Sequence, residues 1–208
     1  MNGYNVARMV QGIAVALLLG GCAFGQKYSY QAATVPMSRM ATSAPVALAV
    51  QDRRPYVVSQ NKPESFVGLS RGGFGNPFDV NTASGQPMAL DMRDAIVSGM
   101  RARGIEVKVV AASPCDNADR IQRGFAASGA RRLMLVTLSE WKSDLMISAA
   151  LHYDVTLVVL DEKGTELARA RTNGRDNIGP SPHSSVGPAF ARKFEALFDD
   201  DKILQALK

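Results

Sequence analysis

Residues able to do chemistry are sparse in this chain, and each has a plain alternative. Cys22 follows Leu19-Gly20-Gly21 at the end of an apolar run. Two glycines ahead of a thiol break a helix and leave room for a peptidase, and the thiol itself can be alkylated. His152 and Asp154 stand two apart on a predicted strand, hence on one face, where a carboxylate could orient an imidazole for proton transfer. No nucleophile accompanies them, so a surface pair on a strand face is the favoured reading. Cys115 lies in Ala112-Ser113-Pro114-Cys115-Asp116, a predicted loop before a helix. A catalytic thiol needs a neighbouring base, and the chain holds only His152 and His183, so Cys115 reads as a small loop residue. Asp199-Asp200-Asp201 could attract a cation weakly, but adjacent carboxylates lack the ligand spacing of a calcium loop.

The local oddity is Arg71-Gly72-Gly73-Phe74-Gly75-Asn76-Pro77-Phe78. Its glycines permit turns that other residues resist. One reading makes Arg71, Phe74, Asn76 and Phe78 a partner-binding loop that presents aromatic rings to a protein or glycan. The favoured reading is a tight turn whose phenylalanines tuck onto the core. The stretch is neither a dinucleotide fingerprint nor a phosphate loop, because both glycine spacing and strand–turn–helix context are missing. Pro182-His183-Ser184-Ser185 precedes a helix, with Ser184 or Ser185 suited to cap it.

The elements that must position these groups begin with a leader. Met9–Leu19 is apolar apart from Gln11 and follows Arg8. Its length, about 11 residues, is too short for a membrane span of ~20 and fits the core of a secretory signal. With Leu19, two small residues and Cys22, the stretch resembles the lipobox of bacterial lipoproteins. That resemblance implies cleavage after residue 21, acylation of Cys22 and, since Ala23 rather than Asp follows, sorting to the outer membrane. Two or three acyl chains at one terminus anchor stably. The expected organisation is a signal peptide over 1–21, a lipidated N-terminus and flexible tether over 22–44, and one periplasmic domain over 45–208. A hydrophobic content of 46% with 21% charged residues suits one domain with a real core. The net charge of +5 is scattered, without basic runs interleaved with aromatics, which argues against nucleic acid.

Val46–Val50 reads as a buried strand, and residues 56–86 as a long irregular segment with brief strand pieces at Val57-Val58 and Phe66-Val67. Pro87 opens a helix whose Met88, Met92, Ile96 and Met100 form one apolar stripe, stopped by Gly104. Ile105–Val110 alternates as a strand. Asp116 or Asn117 caps a second helix with Ala118, Ile121 and Phe125 inward, ended by Gly129. Leu133–Leu138 reads as a central strand. In Ile147–Leu160 the odd positions, Ile147 included, face inward; Thr165–Arg175 returns antiparallel. After a loop over Gly179–Ser185, Pro188 starts a helix with Phe190, Phe194, Leu197 and Phe198 inward. The Asp199–Asp201 run caps a last short helix. The order predicts an α+β two-layer sandwich: a mixed β-sheet with a C-terminal three-strand antiparallel meander and helices packed on one face.

These features together resemble the YajG-like group of small Gram-negative lipoproteins: the lipobox, an early strand ending in Asp52-Arg53, "RARGIEV", "LMLVTLSEW", "ALHYDVTLVVLDEKG" and the tail "DDDKILQALK". Residues 60–86 are longer than that group's pattern. The resemblance implies location and fold and supplies no activity. The expected function is a non-enzymatic lipoprotein, held in the outer membrane by its lipid, whose periplasmic domain binds an envelope protein partner. It is expected to use no cofactor and no metal. The alternatives are an auxiliary lipoprotein of a multi-component export or ABC transport system, and a glycan-binding or hydrolytic envelope protein.

Overall fold

A computed structural model describes residues 25–208, so Cys22 and the leader lie outside the described residues. The strands are β1 (Lys27–Tyr28), β2 (Val46–Asp52), β3 (Phe66–Arg71), β4 (Pro77–Thr82), β5 (Val107–Val109), β6 (Arg132–Leu145), β7 (Ala149–Leu160) and β8 (Glu166–Gly179). The helices are α1 (Pro55–Val58), α2 (Met88–Ala102), α3 (Ala118–Ser128), α4 (Pro182–Phe198) and α5 (Asp201–Ala206).

The spine is β6. Along one edge it pairs antiparallel with β7 from Leu133↔Leu160 to Leu145↔Ala149, and β7 pairs with β8, which makes the expected meander. Its other edge is divided. Arg132–Leu138 takes β2 in parallel, with β5 beyond it, whereas Ser143–Leu145 takes β3, with β4 and then β1 beyond. The sheet therefore forks between Leu138 and Ser143. Arg54, fully buried, fills the fork. Its Nη1 donates to the carbonyls of Phe66 on β3 (2.7 Å) and of Trp141 on the stretch of β6 between the two branches (3.0 Å). Its Nε and Nη2 donate to Asp52 at 2.8 and 2.6 Å. Backbone acceptors that the diverging strands leave unpaired are satisfied there by a side chain, as burial requires.

Both faces of β2 are covered. Val46, Leu48 and Val50 join the large core with the methionine stripe of α2 and the phenylalanines of α4, while Ala47 and Ala49 face a smaller cluster with Ile121 and Phe125 of α3. The architecture is α+β with a mixed sheet, and α3 lies on the opposite face from α2, α4 and α5. Asn117 caps α3 by accepting from the Arg120 amide, and Gly129 ends it in the left-handed conformation.

Several sequence expectations are corrected. The segment over 22–44, expected as a tether, is docked from Lys27 onward: Tyr28, Tyr30, Val35, Met37 and Met40 are all buried. These residues follow an irregular path, so no period announces them. Residues 56–86, expected as irregular, hold most of α1 and the β3–β4 hairpin, whose strands are broken up by Gly, Ser and Asp and so lack an apolar signature. Val57-Val58, expected as a strand piece, lies in α1. The last long helix starts at Pro182, not Pro188, and has no loop through Ser185; Pro188 sits inside it on the solvent side. Ser181 occupies the N-cap position expected of Ser184 or Ser185. Ala118 is exposed, and Ile147 lies in the β6–β7 turn rather than on a buried face.

Candidate functional site

Two tight turns stand side by side at one end of the sheet. Ser70 of β3 pairs with Leu145 of β6, so the β3–β4 and β6–β7 turns project beyond neighbouring strand ends. In the first turn the Gly72 amide donates to Asn76 O (3.0 Å) and the Gly75 amide to Gly72 O (2.7 Å). Gly75 has φ +80°, a conformation that disfavours a side chain. Arg71 braces the turn from below: Nε and Nη2 donate to the two Asp144 carboxylate oxygens at 2.7 Å each. This hydrogen bond, opposed by partial burial and aided by the charges of Lys142 and His152, holds the Asp144 carboxyl below its ordinary range.

The four loop residues therefore have different jobs. Arg71 is a strut, Asn76 closes the turn through its backbone, and Phe78 is half-buried against Gly72, where an added Cβ would come within 3.1 Å of the ring. Phe74 is 95% exposed at the tip. The expectation that both phenylalanines tuck onto the core is corrected at Phe74: a short excursion between braced strands carries it away from the sheet. Beside it, Met146 is 63% and Ile147 85% exposed. These two were not singled out from sequence, because alternation in β7 placed Ile147 inward.

The sheet face behind the tips carries charge. Lys142 of β6 is directly opposite His152 of β7, which is directly opposite Arg175 of β8. Nearby acids are engaged elsewhere: Asp144 with Arg71, Asp154 with Arg171 (2.7 Å) and Asp176 with Lys193 (2.6 Å). The expected His152–Asp154 relation is thereby corrected, since Arg171 holds both oxygens of Asp154. Lys142 and Arg175 thus stand on either side of His152 across three adjacent strands.

Other candidates resolve into structure. Cys115 is exposed in the loop before α3. His183 lies at the start of α4, with Nδ1 3.0 Å from the Lys27 carbonyl oxygen. Asp200 caps α5 by accepting from the Lys202 and Ile203 amides, while Asp199 and Asp201 hold Arg39. Among the described residues no group of three or more His, Cys, Asp or Glu is placed to hold a metal ion. No helix among them is long and apolar enough to cross a membrane.

No family model matches the chain, and no curated protein matches it. Solved structures with partial likeness include XCC0632 from Xanthomonas campestris, described under family-model DUF330, at 12% identity and TM-score 0.49, covering 84% of this chain and 90% of that one. A PelC dodecamer from Paraburkholderia phytofirmans, carrying one substitution, is similar at 13% identity and TM-score 0.45, covering 77% and 92%. Lipoprotein GNA1162 from Neisseria meningitidis is similar at 13% identity and TM-score 0.31, covering 73% and 97%. Overlaps of this size carry no conclusion about function.

Proposed function

We propose that this chain is a bacterial envelope lipoprotein of the YajG-like group, acylated at Cys22 and held in the outer membrane, whose periplasmic domain works by binding an envelope component rather than by catalysis. The observation that carries the binding reading is the braced hairpin end: Phe74 is presented to solvent on a turn whose base is pinned by the two-point Arg71–Asp144 contact. Large apolar side chains clustered at one exposed place mark interaction surfaces more often than singly scattered ones do. Leu19-Gly20-Gly21-Cys22 supports the anchor.

The test is in-cell cross-linking through a photoreactive residue at position 74, with Cys22→Ser as the control. A dominant adduct that disappears in the control, together with an acylated mature N-terminus by mass spectrometry, is the expected result. A normally processed and lipid-labelled Cys22→Ser protein would refute the anchor. Turnover of envelope glycans by the purified protein, lost in His152→Ala, would refute the non-catalytic reading.

A further inference from the structure

We propose that the component bound by the hairpin end is the lipid surface itself: Phe74, Met146 and Ile147 enter the membrane interface, and the Lys142–His152–Arg175 row faces acidic headgroups. This rests on the lipid-anchor reading above and gives that anchor an orientation.

The first argument is where the apolar groups stand. The exposed large hydrophobics among the described residues are Phe74, Val109, Met146, Ile147 and Leu167, and the three most exposed are those on the neighbouring turns. Hairpin turns hold such side chains out without unfolding anything, because each strand below keeps its ladder. Apolar tips backed by cations are the combination that seats a protein surface at the boundary between headgroups and acyl chains.

The second argument is the direction of the chain. β4 runs from Pro77, at the turn, to Thr82, and β1 pairs with it in parallel, Lys27 opposite Asn81. The chain thus enters β1 from the turn side. Asn81 is four residues along β4 from Pro77, or ~13 Å at ~3.3 Å per residue. Cys22 precedes Lys27 by five residues, a reach of up to ~17 Å. An independent path closes the same distance. Gly179 of β8 pairs with Ala149 beside the β6–β7 turn, and four residues later His183 meets the Lys27 carbonyl oxygen. A lipid on Cys22 and the exposed tips can therefore enter one bilayer together.

The third argument is charge. Lys142 and Arg175 flank His152 in cross-strand register; of the acids on that face, Asp144 is bound to Arg71 and Asp154 to Arg171, while Glu140 accepts from the Tyr56 hydroxyl, over whose ring Lys142 stands. A surface of acidic headgroups adds counter-charge for Lys142 and Arg175.

The experiment uses the full chain, purified from membranes and reconstituted into vesicles of phosphatidylethanolamine and phosphatidylglycerol. With Cys115→Ser removing the exposed thiol, an environment-sensitive fluorophore is placed at Ile147→Cys or, as the control, at Leu167→Cys near the opposite end of the sheet. Brominated lipids report depth. Quenching at position 147 should exceed that at 167 roughly threefold or more, since an interfacial group lies ~5–10 Å into the headgroup–acyl boundary. Adding Phe74→Ser with Met146→Ser should reduce it, and replacing phosphatidylglycerol with phosphatidylcholine should reduce it further. Equal quenching at both positions would overturn the proposal, as would shielding of position 147 by a co-purified protein in the absence of lipid. Intact mass of the same samples reports acylation at Cys22 separately. If no acyl mass is found, the anchor reading fails. Docking then stands only if the unacylated chain floats with phosphatidylglycerol vesicles and is still quenched at 147.

Discussion

Arg53 and Arg54 are adjacent in sequence and opposite in fate. Arg53 is exposed and donates to the Pro114 carbonyl, whereas Arg54 is wholly buried at the sheet fork. Burial works against the Arg54 charge, but hydrogen bonds to Asp52 and its attraction outweigh that cost, so its pKa is raised and it stays a guanidinium. Tyr56, whose hydroxyl donates to Glu140, lies with its ring 5.3 Å from the guanidinium carbon and closes the pocket. Arg54→Met should therefore destabilise by about 3–5 kcal/mol in urea unfolding, because Asp52 and two backbone carbonyls lose their donor in a dry place. Asp52→Leu combined with Arg54→Met should recover part of that loss. A single variant as stable as the parent would show that the fork holds without its arginine.

At the scale of the element, the β3–β4 hairpin depends on one carboxylate. Asp144 has a folded pKa below its ordinary value, so the stabilisation it brings is complete above the ordinary carboxylate range. That stabilisation fades as pH falls through this range toward the folded value. Hydrogen exchange at the amides of Gly72 and Gly75 should accelerate over that acid interval relative to the β6–β7 ladder. Asp144→Asn should exchange fast at neutral pH already and show no such acid step. An unchanged acid step in Asp144→Asn would assign it to another group. The same hairpin abuts β6 through Gly68, where a Cβ would lie 2.6 Å from the Ser143 carbonyl oxygen, so close backbone approach sets its position as well.

At the scale of the molecule, the segment before β2 is part of the core. The Trp141 indole donates to the Tyr30 hydroxyl at 2.9 Å, and its ring packs edge-on against Phe190 and Phe194 at 6.1 and 5.9 Å. Arg39 is clamped by Asp199 and Asp201, and Ser38 donates to Glu195. Gly99 of α2 lets the Val35 carbonyl sit where a Cβ would collide with it. Gly99→Ala should push this segment away, costing about 1–3 kcal/mol and opening residues 25–44 to limited proteolysis. Loss of stability without new cleavage there would mean that the helix, not the segment, gives way.

The sequence by itself determined what is written in local chemistry. The VALAV strand, the methionine stripe of α2, the Asn117 and Gly129 caps, the Leu133–Leu138 part of β6 and the meander after it follow from periodicity and end signals that act within a few residues, whereas the extension of β6 to Leu145 does not. The glycine-rich turn was legible as a turn for the same reason. Only the tertiary structure decided the rest, because each remaining feature depends on a partner far away in the chain. Tyr30 is core because Trp141 waits for it, and Arg54 is core because β2 and β3 part along β6. Phe74 and Ile147 share one rim because Ser70 pairs with Leu145, and Lys142, His152 and Arg175 form a row because three strands come into register. Such pairings involve contacts across tens of residues, where the local pattern carries no record of them.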